Sequence, residues 1–141
     1  MSVRTAQARW QGDLRQGQGT MRLGSGAFEG QFSFKSRFEE GTGTNPEELL
    51  GAAHAGCFSM AFSNMLAEAG HVPTSIDTKA LVHLDRVDGK QTIHRIELET
   101  EGVVPGISSE IFQEIAAKAK VWCPVSRALQ AVEIQLTARL L

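Results

Sequence analysis

Residues 45–70, NPEELLGAAHAGCFSMAFSNMLAEAG, decide how the rest of the chain folds. Asn45 suits an N-cap, Pro46 the first helical position and Gly70 a C-cap, while Glu47 and Glu48 sit at the positive end of the helix dipole. The stretch reads as one long helix. From Leu49 to Ala67 nineteen residues carry no formal charge, and Leu49, Leu50, Ala53, Phe58, Met60, Phe62, Met65 and Leu66 occupy every side of the helical wheel. A helix apolar all round is a buried one. Its length also suits a membrane span, but His54, Ser59, Ser63 and Asn64 dilute the run, and the reading adopted is a central helix wrapped by a sheet. Gly51 and Gly56 agree with it, because an interior glycine costs about 1 kcal/mol relative to alanine and suits a place where another backbone passes close. Cys57 lies mid-helix.

Upstream, residues 3–11 and 18–23 read as strands joined by a glycine-rich turn. In GQFSFKSRF, Phe32, Phe34 and Phe38 alternate with Ser33, Lys35 and Arg37, which predicts a third strand with Arg37 on its polar face. Downstream, residues 76–85 alternate and end at Asp88-Gly89, a hairpin signal, and the partner strand over 91–102 is out of phase near His94 and Arg95, as at a bulge. Ser108 or Ser109 caps a second helix with an apolar stripe of Ile111, Ile115, Ala119 and Trp122, and Glu114 and Lys118 pair on its outer face. Pro124 ends it and opens a short third helix with Cys123 at the N-cap, and Val132, Ile134, Leu136, Ala138 and Leu140 mark a last strand. The order β-β-β-α-β-β-α-α-β is that of an α+β protein, and residues 1–141 read as a single domain. A helix this apolar needs more cover than about six strands give, so a homodimer is expected, with two helices packed through Gly51, Gly56 and their alanines.

The charge balance narrows the function classes. Net charge is -2 and no basic run occurs, which argues against nucleic acid or an anionic membrane as partner. The first residues, MSVRTAQARWQGDLRQ, hold no apolar core of a secretory signal, so the expected location is cytoplasmic. In that setting Cys57 and Cys123, with no CxxC spacing, do not suggest a structural disulfide or a zinc site.

The residue types that remain are those of thiol chemistry. Cys123 sits at a helix N-terminus near Arg127, where thiols ionise readily. Cys57 is the reverse case: burial raises a thiol's pKa, and reactivity would require a cation such as Arg37, which Glu47 is placed to hold bidentately. The plain alternative for Arg37 and Glu47 is an ordinary salt bridge. His54 and Cys57 share a helix face, as half a metal site, as a cysteine with its base, or, the reading preferred, as a core histidine bonded to a backbone or serine partner. His71, His83 and His94 have no ligand spacing, and no phosphate-binding loop is present.

The run FKSRFEEGTGTNPEELLGAAHAGCFSMAFSNMLAEAG, the hairpin after PTSIDT and KAKVWCPVSRAL resemble the OsmC/Ohr family of hydroperoxide-reducing proteins, on its OsmC branch. The similarity runs from W-x-G-D at Trp10–Asp13 to the final strand, and GTNPEELLGAAHAGCFSMA and CPVS carry most of its specificity. The resemblance implies an OsmC-like fold, an intertwined homodimer with active sites at the subunit interface, and a thiol-dependent peroxidase serving oxidative and osmotic stress defence. It implies Cys57 as the peroxidatic cysteine, Cys123 as the resolving cysteine, Arg37 as the activating cation and Glu47 as the carboxylate that positions it. Small-molecule hydroperoxides, organic ones before hydrogen peroxide, are the implied substrates, with Phe58, Met60 and Phe62 as candidate pocket residues. An external dithiol of lipoyl type is the implied reductant, and no metal, flavin or haem is implied. Two rival readings are a non-catalytic stress or ligand-binding dimer with structural cysteines, and an acyl thioesterase with Glu47 or His54 as base.

Overall fold

Ten elements follow one another along residues 1–141 of the computed structural model. They are β1 (Ala6–Gln11), β2 (Gln18–Leu23), β3 (Glu29–Ser33), α1 (Phe34–Phe38), α2 (Pro46–Glu68), β4 (Ser75–Val87), β5 (Lys90–Val103), α3 (Ser109–Trp122), α4 (Pro124–Ala128) and β6 (Glu133–Leu140). The six expected strands form two three-stranded sheets, and the chain divides into two units, Met1–Leu49 and Leu50–Leu141.

In the first unit β1, β2 and β3 form an antiparallel meander in which Trp10 and Phe32 both pair with Gly19. Their rings meet at 5.2 Å over that position, and a Cβ on Gly19 would lie 2.6 Å from one ring and 2.8 Å from the other. The third strand is shorter than its alternation predicts. It stops at Ser33, and Phe34–Phe38 turn into helix α1 rather than continuing as a strand. The cause is a capping box: Ser33 Oγ accepts from the Ser36 amide and Ser36 Oγ accepts from the Ser33 amide. Arg37 therefore stands on a helical turn, not on the polar face of a strand. The start of α2 is fixed as its caps predict, with the Glu48 amide donating to Asn45 Oδ1 at 2.7 Å.

In the second unit β4 and β5 form a hairpin closed by Asp88 and Gly89, both at positive φ, as a two-residue primed turn requires. His83 pairs with Arg95 and Leu84 with Ile93, so His94 is the extra residue of the expected bulge. Strand β6 pairs parallel with β5 on its other edge, because α3 and α4 carry the chain back across the sheet between them. Leu66 closes α2 through its carbonyl, which accepts from the His71 amide beyond Gly70 at φ 89°.

Within one chain helix α2 is buried on one face, and its other face is left for the cover expected of a second chain. His54, Phe58, Phe62 and Leu66 are inaccessible, while Ala52, Ala53, Gly56 and Met60 are exposed, Met60 at 77%. The buried stripe packs with Ile96 and Leu98 of β5 and with Phe112, Ile115, Ala116 and Ala119 of α3. That α3 face is turned from the predicted one, since Ile111 and Trp122 are exposed and Phe112 takes the core position. Phe112 lies edge-on to Phe62 at 5.1 Å and fills the space left by Gly102, where a Cβ would come within 2.8 Å of its ring. Glu114 and Lys118 pair on the outer face, 2.9 Å apart. No helix is long and apolar enough to cross a membrane.

Candidate active site

The second unit brings the two cysteines together. Cys57 projects from the middle of α2, and Cys123 is the residue at which α3 ends and α4 begins. Pro124 makes that junction: it cannot continue α3, yet its fixed φ suits the first position of α4. Both thiols are free, and the Cys123 thiol donates to Cys57 Sγ at 2.9 Å. Cys123 is fully buried and accepts from the Ser126 amide at 3.5 Å, whereas Cys57 is half-buried. The Cys57 pKa is raised, first by burial and then by the neighbouring Cys123 thiol, while the Val125 amide works the other way. Within its own unit, therefore, Cys57 is a thiol rather than a thiolate.

His54, one helical turn before Cys57, is inaccessible and its Nε2 lies 2.8 Å from Ser126 Oγ. It is a core histidine with a serine partner, and burial lowers its pKa so that the ring is neutral. Sequence spacing pointed to His54 but not to Ser126, whose role depends on a contact across 72 residues.

The first unit holds the other predicted pair. Glu47, 8% exposed on the opening turn of α2, grips Arg37 of α1: Nε lies 3.2 Å from both carboxylate oxygens and Nη2 lies 2.7 Å from Oε1. Two polar contacts hold α1 in place, and a third fixes the Thr44 it leans on. Ser36 Oγ donates to the Thr44 carbonyl at 2.7 Å, Asn45 Nδ2 donates to the Ser36 carbonyl at 3.0 Å, and Thr44 Oγ1 donates to Glu48 at 2.8 Å. Beside Arg37, a hollow of about 270 Å³ is lined by Trp10, Leu14, Phe32, Phe34 and Phe38. These residues, and not Phe58 and Phe62, which are sealed in the core, form an accessible apolar surface. The alternation of phenylalanines hides the hollow, because in sequence it has the period of one buried strand face.

His83 bonds Glu97 across β4 and β5, and no group of three His, Cys, Asp or Glu side chains has the arrangement to hold a metal ion.

A family model described as OsmC-like protein matches residues 39–137. The chain belongs to the OsmC-like family. This OsmC-like chain is 54% identical over 135 residues to peroxiredoxin OsmC of Escherichia coli (strain K12), covering 95% of this chain and 94% of the relative. It is 30% identical over 99 residues to an organic hydroperoxide resistance protein of Xanthomonas axonopodis pv. citri (strain 306), covering 69% of this chain and 68% of the relative. Among solved structures, an OsmC-like protein from Vibrio cholerae superposes with a TM-score of 0.77 at 18% identity, over 98% of this chain and 99% of the other. An organic hydroperoxide resistance protein OsmC from Legionella pneumophila gives 0.74 at 21% identity, over 99% of both. At those identities the structures speak for the fold, which is the OsmC fold.

Proposed function

We propose that this OsmC-like chain is a thiol-dependent peroxidase that reduces organic hydroperoxides, and hydrogen peroxide more weakly, through a Cys57–Cys123 disulfide cycle in oxidative and osmotic stress defence. The observation that carries the reading is the 2.9 Å approach of two free thiols from distant parts of the chain. The names of its relatives, a peroxiredoxin and an organic hydroperoxide resistance protein, support the same chemistry.

Cys57 is the peroxidatic residue. Its thiolate attacks the distal oxygen of the hydroperoxide, the O–O bond breaks, and the alcohol leaves after taking a proton, so that Cys57 becomes a sulfenic acid. Cys123 resolves it to the disulfide, and an external dithiol of lipoyl type restores both thiols by exchange. Because Cys57 meets burial and no cation in its own unit, its activation falls to Arg37, oriented by Glu47, within a homodimer. The exposed stripe of Ala52, Ala53, Gly56 and Met60 on α2 supports that dimer, and similarity across 95% of the chain supports residues 1–141 as one domain. The aromatic hollow beside Arg37 suits the alkyl part of an organic hydroperoxide, burying apolar area at about 25 cal/mol per Å². The thioesterase reading loses its bases, since Glu47 spends both oxygens on Arg37 and His54 is sealed.

The test is the intact mass of fully reduced protein after one equivalent of cumene hydroperoxide, with free thiols counted and Cys57→Ser run alongside. Loss of two hydrogens and both thiols in the parent, with no reaction in Cys57→Ser, is expected. An unchanged parent mass with both thiols countable would refute the cycle.

A further inference from the structure

The cycle asks Cys123 to stay beside Cys57 while the contact between them is destroyed. In the reduced protein the Cys123 thiol donates to Cys57 Sγ. Once Cys57 carries a hydroxyl, that hydrogen bond no longer exists in the same form. Cys123 then depends on whatever else ties its segment to α2. The segment is short, since α4 has five residues, and the chain breaks its helical course at Cys123 (φ -54°, ψ 129°). Two other hydrogen bonds join α4 to side chains of α2: the Val125 amide meets Cys57 itself and so changes with its oxidation, whereas His54 Nε2 to Ser126 Oγ, 2.8 Å with both residues buried, does not involve the reacting sulfur.

We propose that His54, acting through Ser126, is a positioning residue that keeps Cys123 in reach of the Cys57 sulfenic acid and so protects Cys57 from over-oxidation. The inference rests on the two-cysteine reading and adds a residue to it. Three observations support it, and the tautomer they favour agrees. His54 and Cys57 lie one turn apart on α2, so whatever fixes the ring is fixed relative to the reacting sulfur. Ser126 lies three residues after Cys123, and its amide donates to Cys123 Sγ at 3.5 Å, so holding Ser126 holds the thiol. His54 Nδ1 is buried with no partner, which a residue chosen for packing alone would not require; a phenylalanine would fill that space without an unpaired nitrogen. The neutral tautomer with its proton on Nε2 leaves only a lone pair unpaired and makes the ring the donor to Ser126.

The step being assisted is balanced within the protein. The Cys123 sulfur attacks the Cys57 sulfur, the S–O bond breaks as the S–S bond forms, and the hydroxyl leaves as water with the proton of the Cys123 thiol. Cys57 sulfur is reduced and Cys123 sulfur is oxidised. The competing fate is attack of a second hydroperoxide on the sulfenic acid to give the sulfinic acid.

The experiment is a titration of cumene hydroperoxide against parent, His54→Phe, Ser126→Ala, the double variant and His54→Gln, all turning over with excess dithiothreitol. Intact mass then reports the hydroperoxide concentration at which half of the protein has gained two oxygens on Cys57. This concentration reflects the ratio of resolution to over-oxidation on one sulfur, so the fraction of folded protein does not enter it. A lost tie of this kind should lower it roughly tenfold in His54→Phe and in Ser126→Ala. The double variant should fall no further than the worse single, because the two residues form one bond. His54→Gln, whose amide N–H can still reach Ser126, should recover part of the loss. Over-oxidation of His54→Phe and Ser126→Ala at the parent's concentration would overturn the proposal. A parent that forms no Cys57–Cys123 disulfide would instead overturn the peroxidase reading beneath it.

Discussion

Cys123 Sγ stands 2.9 Å from Cys57 Sγ although the two lie 66 positions apart, with β4, β5 and α3 between them. Joining them closes a long loop of the unfolded chain, which the loop-entropy model values at about 4 kcal/mol. The sulfurs are already in contact in the reduced fold, so closure demands little rearrangement there. The oxidised protein should unfold at a higher temperature than the reduced protein. Calorimetry with and without a dithiol measures the difference, and equal or lower stability of the oxidised form would mean that the disulfide strains the fold.

Arg37 is held as a fork, with Nε and Nη2 both engaged by Glu47, and a lysine has one point charge to offer instead. Arg37→Lys should therefore keep the charge but lower kcat/KM by roughly ten- to a hundredfold, and Glu47→Gln should follow it. Arg37→Ala should go further and move the pH profile. Burial holds the Cys57 thiol above its ordinary range, so without the cation its thiolate forms only at alkaline pH. The rate should keep rising with pH well beyond the point at which the parent levels off. Matching profiles for parent and Arg37→Ala would remove Arg37 from the mechanism.

What the sequence made legible was local. Asn45, Pro46 and Gly70 bounded α2, Asp88-Gly89 closed the hairpin, and the phase slip around His94 marked the bulge, each because a short motif sets its own backbone. Phe34–Phe38 departs from its strand-like pattern because period-two alternation over a few residues competes with a capping box, and Ser33 with Ser36 prevails. The α3 face turned because Ile111 and Phe112 are equally apolar neighbours; Phe62 on α2 and the bare backbone at Gly102 on β5 choose between them. The site divided along the same line. The identities of Cys57, Cys123, Arg37 and Glu47 came from family motifs, whereas Ser126 and the hollow of Trp10, Leu14 and Phe34 depend on tertiary contacts that no spacing announces.

His54 makes stability depend on pH in a definite sense. Its pKa is lowered in the folded protein, so the unfolded chain binds a proton that the buried ring refuses. Its contribution is therefore complete above the unfolded value of about 6.5 and is lost as pH falls through it, at up to about 1.4 kcal/mol per pH unit until the folded ring titrates. The urea midpoint of the reduced parent should fall between pH 7.5 and 5.5. His54→Gln should flatten that fall, whatever its effect at pH 7.5. An undiminished slope in His54→Gln would assign the dependence to other groups.

Gly51 and Gly56 were both expected to face a second helix, but they do different work. A Cβ on Gly51 would meet Val82 Cγ2 at 3.2 Å and Ala80 Cβ at 3.7 Å, so this glycine is taken up by β4 inside the fold. A Cβ on Gly56 would meet nothing within 4 Å. Gly51→Ala gains about 1 kcal/mol of helix propensity against a contact that Val82 must ease, and should come out near neutral. Gly51→Val, with two more carbons directed at β4, should be clearly destabilising. Gly56→Leu should leave the fold of the chain intact and, if α2 packs on its partner through Ala52, Ala53, Gly56 and Met60, should break the dimer. Sedimentation equilibrium of parent, Gly56→Leu and Met60→Glu separates the cases. A parent dimer that survives both substitutions would place the interface on another face of the chain.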